Sequence, residues 1–149
     1  IYLLKEQNKI AHGEKITFQQ EDIVLRVSAI ECRIYAEEPS RNFIPVPGKI
    51  KFFHIPQGLG VRFDTHIFAV FTIPSQYDSL IGTLICHGNN RDEAIARMRN
   101  ALGEMVIDGI PTTIPFHIFI MNHKKFQKGD ISTHFIEEMH NGEKAGSRK

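Results

Sequence analysis

An alternation of apolar and polar side chains over residues 28–37 constrains the fold more than any other feature of the chain. A period of two residues predicts a β-strand with one face in a hydrophobic core. The other face of this strand carries Glu31, Arg33, Tyr35 and Glu37 in a row. The pattern therefore predicts a sheet, and it leaves open whether this row is an ordinary wet surface or one wall of a site.

The size and composition are those of one globular domain. The chain has 149 residues, of which 42% are hydrophobic and 23% charged, and a chain of this length can bury a sizeable core. The formal net charge of +1 gives no electrostatic reason to expect a nucleic acid or an anionic membrane as partner. Cys32 and Cys86 lack CxxC spacing; we expect buried, reduced thiols of an intracellular protein unless the fold brings them together.

The first part of the chain reads mainly as strands after one helix. A helix is predicted over residues 1–12, with a stop at Gly13, and a proline-rich loop is predicted over residues 38–48. Beyond residues 28–37, the pattern predicts four extended segments, namely Lys49–Ile55, Gly60–Asp64, Ile67–Ile73 and Leu80–His87.

The second part reads mainly as helices. Gly88-Asn89-Asn90 is a capping sequence, and apolar residues then recur at spacings of three and four until Gly109, which is expected to end the helix. A second helix is predicted from Thr112 or Thr113 through Met121, and a short strand or helix over Ile131–Met139. Strands followed by helices predict an α+β fold, mostly antiparallel sheet with helices packed on one side.

Motif tests exclude several classes of site. The sequence has no HxxH, HExxH or Cys/His cluster, so no metal site is predicted. It also lacks a phosphate-binding GxxxxGK[ST] loop and a GxSxG nucleophile elbow. The basic run Lys124–Lys128 holds a single aromatic residue and is expected to be a solvated loop. From its residues alone, the chain contains no complete catalytic set.

Two features remain as candidate sites. Arg33 lies between acidic residues, which is typical of a surface ion-pair ladder but also of a guanidinium held in place to bind an anion. Tyr77-Asp78 precedes a buried strand, where such a pair commonly forms a turn but can also hold a ligand at a sheet edge.

Five phrases, taken in order, resemble the C-terminal domain of biotin carboxylase, the ATP-grasp component of acetyl-CoA, propionyl-CoA and pyruvate carboxylases. They are AIECRIYAEEPSRNFIPVPGKI, GLGVRFDTHIF, YDSLIGTLICHG, NRDEAIARMRNALGEMVIDGIPTTIPFH and THFIEE. The resemblance runs from Ile1 to about Glu138. It implies a domain over residues 1–141 and leaves residues 142–149 as a basic, disordered tail.

The resemblance implies an activity and roles for particular residues. Biotin carboxylase uses ATP, Mg²⁺ and bicarbonate to carboxylate biotin on a carrier protein. Arg33, in the ECR phrase, would face the ureido oxygen of biotin and stabilise the negative charge that forms when N1′ loses its proton. Tyr77 and Asp78 would line the same biotin pocket. The row on the first strand would then be one wall of a site.

The resemblance also implies what lies elsewhere. In the family, the ATP-grasp part, which binds nucleotide, metal and bicarbonate, precedes this segment. The chain begins with Ile1 inside a predicted helix, so we expect it to be a piece of a longer polypeptide that is inactive alone. Within the matched phrases, Tyr35 stands where the family usually has asparagine, and Thr83 where it usually has lysine; Tyr35 would narrow the biotin pocket.

Partners follow from the same resemblance. They are the biotin carboxyl carrier protein, a carboxyltransferase and a second copy of the enzyme, with the homodimer interface around Leu59 and Arg62. No nucleic acid or membrane is expected, and the location would be the cytoplasm, or an organellar matrix in a eukaryote. An alternative is a non-catalytic dimerisation or carrier-docking module of the same fold.

Overall fold

A computed structural model describes residues 1–139 of the chain. Short 3₁₀ turns form at Gln20–Asp22 and Pro39–Arg41, and residues 135–139 are helical. The remaining elements, in chain order, are α1 (Leu3–Ala11), β1 (Ser28–Tyr35), β2 (Glu37–Glu38), β3 (Ile44–Pro45), β4 (Gly48–Lys49), β5 (Phe52–His54), β6 (Val61–Thr65), β7 (Thr72–Ile73), β8 (Leu80–Gly88), α2 (Arg91–Glu104), β9 (Val106–Asp108), α3 (Ile114–Asn122) and α4 (Lys124–Lys128).

The central sheet has the strand order β1-β8-β6, and both pairings are antiparallel. The other strands form three separate two-stranded antiparallel ladders, β2/β3, β4/β7 and β5/β9. Helix α2 lies on one face of the sheet, where it contacts β8, β1 and β6, and α3 packs against α2. The α+β class with antiparallel strands and helices on one side is confirmed.

The core lies between the inner face of the sheet and α2. The alternation in β1 is confirmed from Ile30 onward, because Ile30, Cys32 and Ile34 are buried and the polar residues between them are exposed. Each such burial contributes about 1.5–3 kcal/mol. The residues that form this layer are Ile30, Cys32, Ile34, Leu84 and Cys86 from the strands and Ala94, Ile95, Met98, Ala101 and Leu102 from α2.

Cys32 and Cys86 are free and buried, as the sequence predicts. Burial raises the pKa of the Cys32 thiol to about 12 and that of the Cys86 thiol to about 11. Both thiols therefore stay protonated at neutral pH, which makes them poor nucleophiles and poor metal ligands.

The predicted start of α2 is right and its predicted end is wrong. The Asn90 side chain accepts a hydrogen bond from the Glu93 amide at 2.9 Å, as a helix cap does. The helix ends at Glu104 rather than at Gly109, because Met105 has an extended backbone and β9 follows. Gly109 instead turns the chain beside β4 and β5, with φ +105°. The predicted helix through Met121 is confirmed as α3.

The extended prediction for Ile67–Ile73 is wrong for most of its length. Only Thr72–Ile73 form a strand, and residues 67–71 form a loop with Val70 at φ +65°. Thr65 ends the β6 ladder because its hydroxyl donates to the Ile81 carbonyl at 2.6 Å and accepts from the Ile67 amide at 3.2 Å. Phe71 then packs edge-on against Phe68 rather than alternating across a strand.

The basic run Lys124–Lys128 is also not the predicted loop but helix α4. Its C-terminal end is held by Arg91, whose guanidinium donates to the carbonyls of Phe126 and Gln127 and lies 4.9 Å from the Phe126 ring centroid. Gly129 ends the helix with φ +74°. A residue 35 positions upstream therefore stabilises this helix, and no local pattern predicts that contact.

Two further expectations concern the ends of the chain. The predicted N-terminal helix is present as α1, but none of its residues is buried. The predicted tail, residues 142–149, lies outside the described residues.

Across residues 1–139, no helix combines the length and the apolar character needed to span a membrane.

Candidate functional site

The outer face of the central sheet carries the row that the sequence singles out. Because β1 and β6 both pair with β8, their outward side chains align across the sheet in two rows. The register gives the rows Glu31–Ile85–Arg62 and Arg33–Thr83–Asp64. Acidic and basic groups thus alternate on this face, with Arg33 on one outer strand and Arg62 on the other.

Arg33 is both exposed and held in place. Its side chain is 63% exposed, and Nε donates to Oε1 of Glu31 at 2.9 Å. This hydrogen bond, and a second interaction with Tyr35, raise the pKa of the Arg33 guanidinium above its already high value. The structure therefore contains the surface ion pair that was one of the two interpretations of the sequence. It also keeps a permanent positive charge in one position on the open face.

The backbone beneath Arg33 is held from the free edge of β1 by α3. Tyr35 donates its amide hydrogen to Oγ1 of Thr113 at 3.0 Å, and the Thr113 amide donates to the Tyr35 carbonyl at 3.1 Å. The Arg33 carbonyl accepts from Thr113 Oγ1 at 3.4 Å and lies 2.8 Å from Nε2 of His117. These contacts provide hydrogen-bond partners for backbone groups on the edge of an outer strand. The partners come from the start of a helix instead of from another strand.

Sequence reasoning missed both Thr113, directly before α3, and His117, within α3. The sequence predicts Thr113 only as a possible helix start, yet its hydroxyl makes no capping bond to α3 and binds β1 instead. Burial lowers the pKa of His117, while its hydrogen bond to the Arg33 carbonyl acts in the opposite direction. Nε2 then carries the proton, because a carbonyl oxygen can only accept. No sequence signal links these residues to a strand 80 positions earlier.

Tyr77 and Asp78 lie at the same end of the β1/β8 pair as Tyr35. Leu80, which follows them, is opposite Tyr35 in the register. Asp78 Oδ1 accepts from the Leu80 amide at 3.3 Å, so this carboxylate shapes the turn into β8. Tyr77 is 81% exposed and projects from the protein. The fold therefore brings this pair to the end of the sheet on which Arg33 lies.

Leu59 and Arg62 lie on the other outer strand or beside it. Leu59 is 94% exposed in the turn before β6. Arg62 is exposed and pairs with Asp64 on the same strand at 2.8 Å. The turn is held against β8, because the His87 amide donates to the Gly60 carbonyl at 3.0 Å. Gly60 has φ +75°, and a Cβ there would meet Arg97 and the His87 carbonyl.

The described residues do not hold a metal centre. Among residues 1–139, no group of three or more His, Cys, Asp or Glu side chains is arranged to bind an ion. The chemistry that remains on the outer face is that of an arginine: charge stabilisation and bidentate hydrogen bonding to an anion or a polarised oxygen.

The fold and this face define an antiparallel α+β domain that presents a fixed guanidinium on the open side of its sheet. Comparison with known families matches residues 31–138 to the biotin carboxylase C-terminal domain. The match covers most of the chain, and the chain belongs to this family.

Similar proteins agree with this assignment. The chain is 48% identical to biotin carboxylase of Pseudomonas aeruginosa over 136 residues, which is 91% of this chain and 30% of that protein. It is 51% identical to biotin carboxylase 1 of Bacillus subtilis over 135 residues, which is 91% of this chain and 30% of that protein. The biotin carboxylase subunit of a pyruvate carboxylase superposes with a TM-score of 0.86 at 42% identity, covering 95% of this chain and 31% of that one. The chain thus spans about a third of the length of these relatives.

Proposed function

We propose that this chain acts as the C-terminal part of a biotin carboxylase and contributes one wall of the biotin pocket. The reaction would be the ATP- and bicarbonate-dependent carboxylation of biotin on a carrier protein. The observation that supports this best is the position of Arg33: exposed, permanently charged and held by Glu31 on an open sheet face. A solved relative, the biotin carboxylase domain of Hydrogenobacter thermophilus 2-oxoglutarate carboxylase, is described in complex with MgADP and bicarbonate.

The chemistry of the arginine fits the biotin ring. When a ureido nitrogen is deprotonated, negative charge moves onto the ureido oxygen, which then accepts hydrogen bonds more strongly. A guanidinium aimed at that oxygen stabilises the charge only as it develops, which lowers the reaction barrier. Arg33 stays protonated throughout and cannot itself take the proton. Its role would be charge stabilisation, and the base would come from another part of the enzyme.

Tyr77 and Asp78 would form the neighbouring side of the pocket. The exposed Tyr77 ring offers an apolar surface for a ligand, whereas Asp78 holds the turn through the Leu80 amide. Tyr35 and Thr83 lie on the same face beside Arg33, so they would limit how far a ligand can enter.

The chain alone would not turn over in this proposal. It spans 30% of the Pseudomonas aeruginosa relative, and the groups that bind ATP, Mg²⁺ and bicarbonate would belong mainly to the part of such an enzyme that precedes this segment. Partners would be the biotin carboxyl carrier protein and a carboxyltransferase. The location would be the cytoplasm, or an organellar matrix as for the chloroplastic relative of Arabidopsis thaliana.

A segment exchange tests the proposal. We would replace the matched 136 residues of the Pseudomonas aeruginosa enzyme with this chain and measure biotin-dependent ADP release with ATP, Mg²⁺ and bicarbonate. The chimera is expected to be active, and the chain alone inactive. A soluble, folded chimera that releases no ADP would contradict the catalytic role and favour a docking or dimerisation module. Turnover by the chain alone would contradict the proposed division of labour.

A homodimer through Leu59 and Arg62 is proposed alongside this role. The support is the exposure of Leu59 on a held turn next to the outer strand β6, and a solved relative is described as a domain dimer. The chimera is expected to sediment as a dimer, and Leu59→Asp to shift it toward monomer by placing a charge in an apolar contact. A wild-type chimera that stays monomeric at high concentration would refute this interface.

A further inference from the structure

We infer that Thr113 and His117 are positioning residues for Arg33, and this inference rests on the proposed function. Thr113, at the start of α3, and His117, within α3, would act through the β1 backbone without touching biotin. They fix the main chain from which the Arg33 side chain extends, on the side of β1 that no other strand covers among residues 1–139.

The contacts are concentrated at Arg33 and Tyr35. Strand β8 pairs with one edge of β1 along its length. On the other edge, Thr113 makes two reciprocal bonds with Tyr35, at 3.0 and 3.1 Å. The same Thr113 hydroxyl donates to the Arg33 carbonyl at 3.4 Å, and His117, one helical turn later, approaches that carbonyl at 2.8 Å.

Thr113 has the connectivity that this role requires. A hydroxyl has one hydrogen to donate and lone pairs with which to accept. Oγ1 accepts from the Tyr35 amide and donates toward the Arg33 carbonyl, so it links two alternate residues of the strand. Thr113 is 4% exposed, so water does not readily replace the hydroxyl. Removing it would leave the half-buried Tyr35 amide without its acceptor.

The register in this region shows why the strand needs support. The β1/β8 pairing shifts between Ile34 and Tyr35, one residue beyond Arg33. Such an irregularity locally disrupts a ladder. The α3 bonds fall on both sides of it, at Arg33 and at Tyr35. They would therefore keep the direction of the Arg33 side chain constant where strand pairing alone is weakest.

The expected consequence is kinetic and specific to biotin. A misplacement of about 1 Å can lower a rate roughly 10²-fold. In the chimera, Thr113→Val is expected to lower kcat with biotin about tenfold or more while the KM for ATP stays within twofold. Thr113→Ser keeps the hydroxyl and is expected to retain activity within about twofold. His117→Gln, which can still donate to the carbonyl, should be milder than His117→Leu.

A direct readout on the strand accompanies the kinetics. Hydrogen exchange of the Tyr35 amide is expected to be at least tenfold faster in Thr113→Val than in Thr113→Ser, because only the serine supplies an acceptor. Unchanged exchange in the valine variant would overturn the hydrogen-bond link. If Thr113→Val and Thr113→Ser have equal kcat values, Thr113 does not position Arg33 and only stabilises the fold. The same conclusion follows if Thr113→Val changes the KM for ATP as much as it changes kcat.

The outcomes separate this inference from the proposed function. If Arg33→Ala leaves biotin-dependent turnover of the chimera intact, the proposed role of Arg33 fails. If Arg33→Ala abolishes turnover but Thr113→Val does not impair it, only the positioning role fails. Circular dichroism at the assay temperature confirms that each variant is folded before its kinetics are compared.

Discussion

Arg33→Ala is expected to lower biotin-dependent ADP release by the chimera about 10²- to 10³-fold, the range observed when one donor to a developing oxyanion is removed. The side chain is exposed and pairs only locally with Glu31 among the described ion pairs, so its removal should not disturb the fold. Arg33→Lys keeps the charge but loses the planar fork of donors, and should fall between alanine and wild type. The measurement is the steady-state rate with saturating ATP, bicarbonate and biotin.

Arg99 provides the matched control. It lies exposed on α2, in the helical layer that covers the opposite face of the sheet. Arg99→Ala removes the same charge from the domain and should leave the rate within twofold. If both alanine variants lose activity equally, the effect is one of net charge, and the site assignment to Arg33 is wrong.

Gly109→Ala is expected to destabilise the domain by about 3 kcal/mol. Gly109 has φ +105°, and a Cβ there would lie 2.5 Å from the Lys49 carbonyl oxygen and 2.9 Å from the Lys51 amide nitrogen. Backbone strain contributes about 1–3 kcal/mol and overpacking a similar amount. Both neighbours are held in place, because Lys49 pairs with Thr72 in the β4/β7 ladder and the Lys51 amide donates to the Asp108 carbonyl at 2.8 Å. Urea unfolding followed by circular dichroism measures the loss as a lower midpoint.

Gly103 is the control for that substitution. It lies in α2, and a Cβ there meets nothing within 4 Å. Gly103→Ala should therefore raise the stability by about 0.5–1 kcal/mol through helix propensity. Opposite signs for the two substitutions are the expected result. Equal effects would mean that the close approach of Gly109 to the β4–β5 segment does not exist in solution.

The sequence predicts the elements whose signals are local. The two-residue period of β1, the buried run of β8 and the Asn90 cap of α2 each lie within the element that they define, and the structure confirms all three. The family was also recognisable from contiguous phrases. Arg33 stood out because a charged residue flanked by acidic residues on a strand is visible without any knowledge of the fold.

The errors arise where a distant contact overrides a local pattern. Residues 67–71 have strand-like composition, but the Thr65 hydroxyl binds the Ile81 carbonyl and ends the ladder. Lys124–Lys128 are polar like a loop, but Arg91 binds the carbonyls at their end. Gly109 is a plausible helix stop, but its positive φ and missing side chain instead allow its backbone to lie close to residues 49–51.

The sequence by itself determined the α+β class, the inner and outer faces of β1 and the residue that the outer face presents, because side-chain period and capping act over a few neighbouring residues. Only the tertiary structure decided how Arg33 is held. Thr113 and His117 reach its carbonyl across 80 and 84 positions of chain. Whether those atoms meet depends on where the packing of α3 against α2 places the start of α3, and no spacing within either segment encodes that position.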